Sequence, residues 1–238
     1  MTSPRSPSIA DLRVRFHLPD GADAHLDGLT QLLTVDAGAP TTLREPRRII
    51  DDHLADSLVA LELDHVPWSA GTIADLGAGA GFPGLPLAVA LPAARVVLVE
   101  SNTRKCEFLL SVVRRLGLDN VEVARARAEQ WSAGLGACDV VVARALAALP
   151  VVVEYAAPLL RTGGALVAWR GRRDAAEETM GAIAAAELGL EPLDVVSVAP
   201  YPDAAHRHLH VMVKVSPTPT RFPRRPGVAR KHPLGQTV

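Results

Sequence analysis

The sequence predicts an α/β protein whose mainly parallel sheet carries helices on both faces, with a helical extension before it and an antiparallel hairpin at its end. Three observations predict this. Short apolar runs with little alternation are separated by stretches of helical length, the pattern of strands buried on both faces. A glycine-dense turn, ADLGAGAGFPGLP, follows the first run and opens a helix. After residue 190 two further runs are joined by a Pro-containing loop too short for a helix, which ends the parallel rhythm.

Residues 1–20, rich in Ser, Pro and Arg, read as a loosely held arm. Leu26, Leu29, Leu32 and Leu33 then recur at helical spacing over residues 22–35, before the breaker-rich GAPTT. A second helix is expected over 46–63, with Ile49, Ile50, Leu54, Leu58 and Leu61 on one side. These two helices make residues 21–66 an extension packed on the core. The core, 67–216, has strands at 72–76, 95–100, 121–125, 138–143 and 164–169, with helices at 84–91, 103–117, 146–160 and 173–188. Runs at 193–198 and 208–215 form the hairpin, and 217–238 is a basic tail laid over the surface or free.

With 48% apolar residues the 238-residue chain can bury a sizeable core. All 26 acidic residues precede Ala204, whereas the segment from Ala204 onward has seven Lys or Arg and no acid. A polyanionic partner met by the C-terminal part is the reading of that asymmetry. Cys106 and Cys138 have neither disulfide-scaffold nor thiolate-metal spacing, which suits a reducing cytoplasm. The longest apolar runs contain prolines and stop well short of the roughly 20 residues that span a bilayer.

The turn holds Gly77, Gly79, Gly81 and Gly84, where backbone must come close to a bound molecule. Glu100 ends the second strand and stands where an acid accepts hydrogen bonds from the ribose hydroxyls of an adenosine. No GKS or GKT ending supports a P-loop. Asp75, beside the glycines, would be unwelcome near a pyrophosphate but suits the amino end of a methionine, which favours S-adenosylmethionine over a dinucleotide.

ADLGAGAGFPGLPLAVALP, VLVESNTRKCEFL, VVVARALAAL and FPRRPGVARKHPLG together resemble the bacterial small-subunit rRNA guanine N7 methyltransferase family, called RsmG or GidB. The resemblance runs from about Arg44 to Leu234. It implies a Rossmann-like class I methyltransferase fold, S-adenosylmethionine as donor, and a guanine in the decoding-region loop of 16S rRNA as acceptor, free or in a small-subunit particle. It places the methionine part against Asp75, Gly77, Ala78, Gly79 and Phe82, the ribose on Glu100, and adenine near Ala128 and Glu129. Arg144, in the family's ARA segment, belongs to the cofactor site and, with Arg170, to the catalytic set. His53, Asp56 and Ser57 match the family's RHxxDS segment.

Three departures stand out: Asp52 precedes His53 where the family has Arg, the usual Trp-Asn and Asn-Leu-Thr pattern is missing, and Arg170 of AWRG replaces a lysine. Guanine N7 needs no deprotonation, so no general base is required. Arg144 then serves a phosphate, guanine O6, cofactor packing or a salt bridge at the sheet edge. His53 either contacts the donor or ties the helix to the body, Trp169 is core or a stacking platform, and Phe82 closes the pocket or faces the base. HRHLH at 206–210 reads as a strand face rather than a metal site. Arg221, Arg224, Arg225, Arg230 and Lys231, held apart by prolines and a glycine, are expected to bind RNA phosphates; a mere solubility tail is the bland alternative. Two other functions remain open: a methyltransferase with another acceptor, and a non-enzymatic RNA-binding protein on the same fold.

Overall fold

The computed structural model describes residues 6–69 and 71–236. Seven strands form one sheet in the order β3-β2-β1-β4-β5-β7-β6. The parallel set is β1 (Thr72–Leu76), β2 (Arg95–Glu100), β3 (Val121–Arg125), β4 (Cys138–Arg144) and β5 (Leu160–Arg170). The hairpin of β6 (Leu190–Ser197) and β7 (His208–Lys214) adds to β5 in antiparallel register, with Leu166 opposite Met212 and Trp169 opposite Leu209.

Alternate residues of the strands feed two separate cores. Ile73, Val96, Leu98, Val140, Val142 and Val167 point to one face. That face is covered by α1 (Ile9–Arg15), α2 (Ala22–Val35), the helical run over 46–62, α5 (Gly84–Ala90) and α6 (Thr103–Leu116). Ala74, Leu76, Val97, Val99, Val141 and Leu166 point to the other, under α7 (Leu149–Ala156) and α8 (Ala175–Leu188). Both faces being buried explains why the strands read as continuous apolar runs.

The N-terminal segment departs from the loose arm expected over 1–20, of which residues 1–5 lie outside the described residues. Ser8 accepts from the Asp11 amide while the Asp11 carboxylate accepts from the Ser8 amide, a reciprocal cap that starts α1. Ile9, Leu12, Phe16 and Leu18 are then buried against the extension.

The run over 46–62 is helical throughout but changes pitch. It comprises α3 (Pro46–Ile49), a π-helical segment (Ile50–Ala55), α4 (Asp56–Leu58) and a 3₁₀ turn (Val59–Glu62). Leu54 and Leu58 are fully buried, each stabilising the attachment by roughly 1.5–3 kcal/mol. The π segment carries His53, and such segments often occur at functional sites.

The C-terminal segment differs from a free tail. Phe222 and Ala229 are buried in the α7–α8 core, and residues Val228–Lys231 form a short helix, α9. Residues 237–238 of the expected tail lie outside the described residues. Helix α7 starts at Leu149, later than the expected 146, because residues 145–148 form a turn at the end of β4.

Candidate active site

In this strand order the chain proceeds from β1 to one side and returns through β4 to the other, so the switch point lies between β1 and β4. Parallel sheets bind ligands outside the carboxyl ends of their strands at such a point. A cleft of about 270 Å³ lies there, lined by Gly77, Glu100, Ala128, Glu129, Ala145 and Arg230 among others.

Glu100, the last residue of β2, is held by both oxygens. Oε2 accepts from the Gly79 amide at 3.1 Å, and Oε1 accepts from the Asn102 amide at 2.8 Å. The strand-end acid and the glycine loop are therefore in direct contact. Gly79 has φ +59, and a Cβ there would meet nothing nearer than the Gly77 carbonyl at 3.7 Å. The backbone thus takes a left-handed turn with free space above it. At Gly84, by contrast, a Cβ would lie 2.3 Å from Leu98 and 2.7 Å from the Asp75 carboxylate, so glycine lets the helix start press on the sheet.

Asp75, expected to face the methionine, is only 1% exposed and lies beneath the loop rather than along the cleft. Its Oδ2 accepts from the Gly84 amide at 2.8 Å, while Oδ1 is buried without a hydrogen-bond partner among the described residues. Burial pushes the carboxyl up to about 7, against the Gly84 hydrogen bond. Between the unfolded value near 3.8 and about 7, the folded protein keeps a proton that the unfolded chain loses. The Asp75 contribution to stability is fully present below that window and falls as pH rises through it. Relative to the native protein, Asp75→Asn should gain stability from pH 4 to pH 7 and show no further gain above it. Urea unfolding at stepped pH measures this, and a pH-independent difference would refute it.

A second cavity, of about 550 Å³, opens beside the first and is lined by Asp56, Arg144, Trp169, Arg170 and Arg207 among others. Ala145 lines both spaces and has φ +54, an uncommon conformation for alanine, which turns the chain at the point where the two meet.

Arg144 projects from the end of β4 to the π segment. Its guanidinium donates to the Asp52 carbonyl at 3.0 Å and to Asp56 Oδ2 at 2.8 Å, and approaches His53 Nδ1 at 3.3 Å. Of the roles open to it, the salt bridge at the sheet edge is present. Arg207 Nε stands 3.2 Å from the other Asp56 oxygen. Arg170 donates to the Ala147 carbonyl at 2.7 Å and pairs with Glu177, so it braces the turn after β4.

Phe82 does not line the first cleft; it stacks on His53 with ring centroids 4.3 Å apart, beneath the Arg144 guanidinium. Ala78 is likewise buried in the loop and absent from the cleft lining. Burial, then the Arg144 charge, pushes His53 down to about 4, so the ring is neutral at physiological pH. It joins the extension to the glycine loop. Trp169 is buried but donates its indole N–H to the Asp56 carbonyl at 2.7 Å and borders the second cavity. Asp52, the departure from the family pattern, accepts from Tyr201 at 2.5 Å and pairs with Arg48 at 2.5 Å. Burial alone would raise this carboxyl, but the Tyr201 hydroxyl and Arg48 hold it below its ordinary value.

Of the five cations expected to bind RNA, three are engaged by the body. Arg224 forms a two-pronged pair with the buried carboxylate of Glu154, Arg221 pairs with Glu187 at 2.9 Å, and Arg230 donates to the Leu146 carbonyl at 2.9 Å. Arg225 and Lys231 are exposed. Sequence reasoning missed Tyr155 and Ala145 on the lining of the first cleft and Arg207 on that of the second cavity. Arg207 lay in the HRHLH run, whereas nothing local to Tyr155 pointed to a ligand. Among the described residues no group of three or more His, Cys, Asp or Glu could hold a metal, and no helix is long and apolar enough to cross a membrane.

A seven-stranded sheet with an antiparallel hairpin added at one edge, a glycine loop after β1 and an acid ending β2 defines the class of S-adenosylmethionine-dependent methyltransferases. A solved S-adenosylmethionine-dependent methyltransferase from Aquifex aeolicus has the same fold, with TM-score 0.56 and 16% identity over 80% of this chain and 98% of that one. Within the class, the family described as rRNA small subunit methyltransferase G (GidB) matches residues 37–209. The protein named ribosomal RNA small subunit methyltransferase G of Rubrobacter xylanophilus is 42% identical over 197 residues, 80% of this chain and 75% of its own. Its namesake in Deinococcus radiodurans is 41% identical, over 82% of this chain and 78% of its own. The chain belongs to the rRNA small subunit methyltransferase G family.

Proposed function

We propose that the protein transfers a methyl group from S-adenosylmethionine to N7 of a guanine in 16S rRNA, in the cytoplasm. The observation that carries this reading is the meeting of two spaces at Ala145: an acid-ended adenosine cleft and a larger cavity lined by three arginines and two aspartates. The residues present fit the donor. Glu100 offers a carboxylate to ribose, Gly79 leaves room above the loop, and Ala128 and Glu129 close the far side.

Bound there, the donor supplies a methyl group already activated by its sulfonium. Guanine N7 carries an in-plane lone pair, so the chain has no proton to remove and its work is to bind and align. The second cavity lies in the size range of small-molecule sites, roughly 300–1,000 Å³. Arg144, Arg170 and Arg207 line it, with His208 at its side and Arg172 3.4 Å from His206 close by. Methylation makes the purine cationic, so these arginines serve phosphates or O6 rather than the ring face. Three arginines against the two carboxylates of Asp52 and Asp56 leave the lining with a net positive charge, which favours a nucleic-acid acceptor over a neutral small molecule.

Purified protein should transfer labelled methyl to 16S rRNA from cells lacking the gene and not to rRNA from cells that have it. Mass mapping of the product should place the label on a guanine as the N7 methyl derivative. Label on another base, or only on a small molecule, would overturn the assignment. Running the same assay on bare rRNA and on small-subunit particles shows which form is the substrate.

A further inference from the structure

The basic C-terminal segment stands against the donor cleft, and its contacts run through that cleft's own residues. The Gly227 amide donates to Glu129 at 3.1 Å, and Glu129 lines the cleft. Arg230 itself lines the cleft and donates to the Leu146 carbonyl at 2.9 Å; Leu146 and Tyr155 are lining residues too. Two further contacts fasten the segment. Arg224 donates through Nε to Glu154 at 2.7 Å and to the His232 carbonyl at 2.9 Å, and the Glu154 side chain is only 2% exposed. Phe222 and Ala229 are buried in the core beside it.

We infer that residues 222–231 form a wall of the donor site, in which Arg230 binds the donor's amino-acid carboxylate and Arg224 positions the wall. This rests on the reading of the cleft as the S-adenosylmethionine site. Arg230 uses one nitrogen on a backbone carbonyl, which leaves N–H groups of its planar fork for an anionic partner. The only anionic group of the donor is its carboxylate. Its own positive charge keeps this arginine from the donor's sulfonium and ammonium groups, for which Glu100 and Glu129 on the same lining supply the opposite charge. The segment's docking and donor binding are then linked, because whatever binds only the docked form stabilises it.

Calorimetric titration of the full chain with S-adenosylhomocysteine and with methylthioadenosine, which lacks the amino-acid part, tests this. Arg230→Ala should weaken S-adenosylhomocysteine about tenfold and methylthioadenosine less than twofold. Arg224→Ala should weaken both, since it frees the wall that carries Gly227. Arg114→Ala/Arg115→Ala, which removes two exposed cations on the last turn of α6 away from the cleft lining, should change neither. Because Arg224→Ala strands a buried carboxylate and can unfold the chain, hydrogen exchange on the native protein gives an independent reading. Amides of 222–231 should gain protection when S-adenosylhomocysteine is added. Native affinity for both ligands in Arg230→Ala, equal loss for both, or unchanged protection of 222–231 would overturn the inference. Failure of the native protein to bind either ligand would instead overturn the donor reading itself.

Discussion

Glu100→Ala should lower affinity for S-adenosylmethionine by about ten- to a hundredfold or more while leaving RNA affinity nearly intact. A hydrogen bond to a charged group contributes about 1.5–3 kcal/mol, and every ~1.4 kcal/mol is a factor of ten in affinity. The proposed ribose contact supplies one or two such bonds. The substitution also removes the acceptor for the Gly79 and Asn102 amides, so the loop loses its fixed position over the cleft. Glu100→Gln keeps the shape and one acceptor oxygen, and should fall between the two. Titration with S-adenosylhomocysteine reads the first effect and filter binding of 16S rRNA the second. Equal donor affinity in native and Glu100→Ala proteins would remove the role assigned to this residue.

Arg144→Ala should cost both stability and methyl transfer. Sequence reasoning alone expects transfer to suffer the more, but Asp56 is buried and accepts directly from Arg144. Removing one partner of a buried ion pair typically costs about 3–5 kcal/mol. Arg207, 3.2 Å from the other Asp56 oxygen, holds the loss to the lower end of that range. For a chain of this length ~3 kcal/mol corresponds to a fall in Tm of roughly 6–12 °C. Arg144→Lys keeps the charge but cannot reach the Asp52 carbonyl, Asp56 and His53 together, so it should recover only part of the stability. The decisive variant is Arg144→Ala/Asp56→Asn, which removes the stranded charge and should restore much of the Tm. If methyl transfer stays low in that double variant while donor affinity is native, Arg144 acts on the acceptor; if donor affinity falls as well, it acts on the donor; if transfer returns with the Tm, its part is confined to holding the helix of residues 46–62.

Much of this architecture was legible because it depends on neighbours in the chain. Apolar runs at 72–76, 95–100 and 121–125 coincide with β1, β2 and β3. The contact of Glu100 with Gly79 follows from a strand of set length beside a turn. The helix at Ile9–Arg15 carried a readable signal as well, in Ser8 and Asp11 of its reciprocal cap and in apolar residues at 9, 12 and 16, though a Ser- and Pro-rich composition masked it.

By itself the sequence determined the parallel sheet, the glycine turn and the acid that ends β2, since continuous apolar runs, turn chemistry and short spacing are local properties of the chain. Only the tertiary structure decided the partners of the charges: Arg144 meets Asp56 across 88 positions and Arg224 meets Glu154 across 70. A guanidinium reads alike whether it faces solvent, a phosphate or a buried carboxylate. Which of these it meets is settled by the packing of distant segments, because a buried acid either finds a counter-charge where the fold brings one or, like Asp75, keeps its proton.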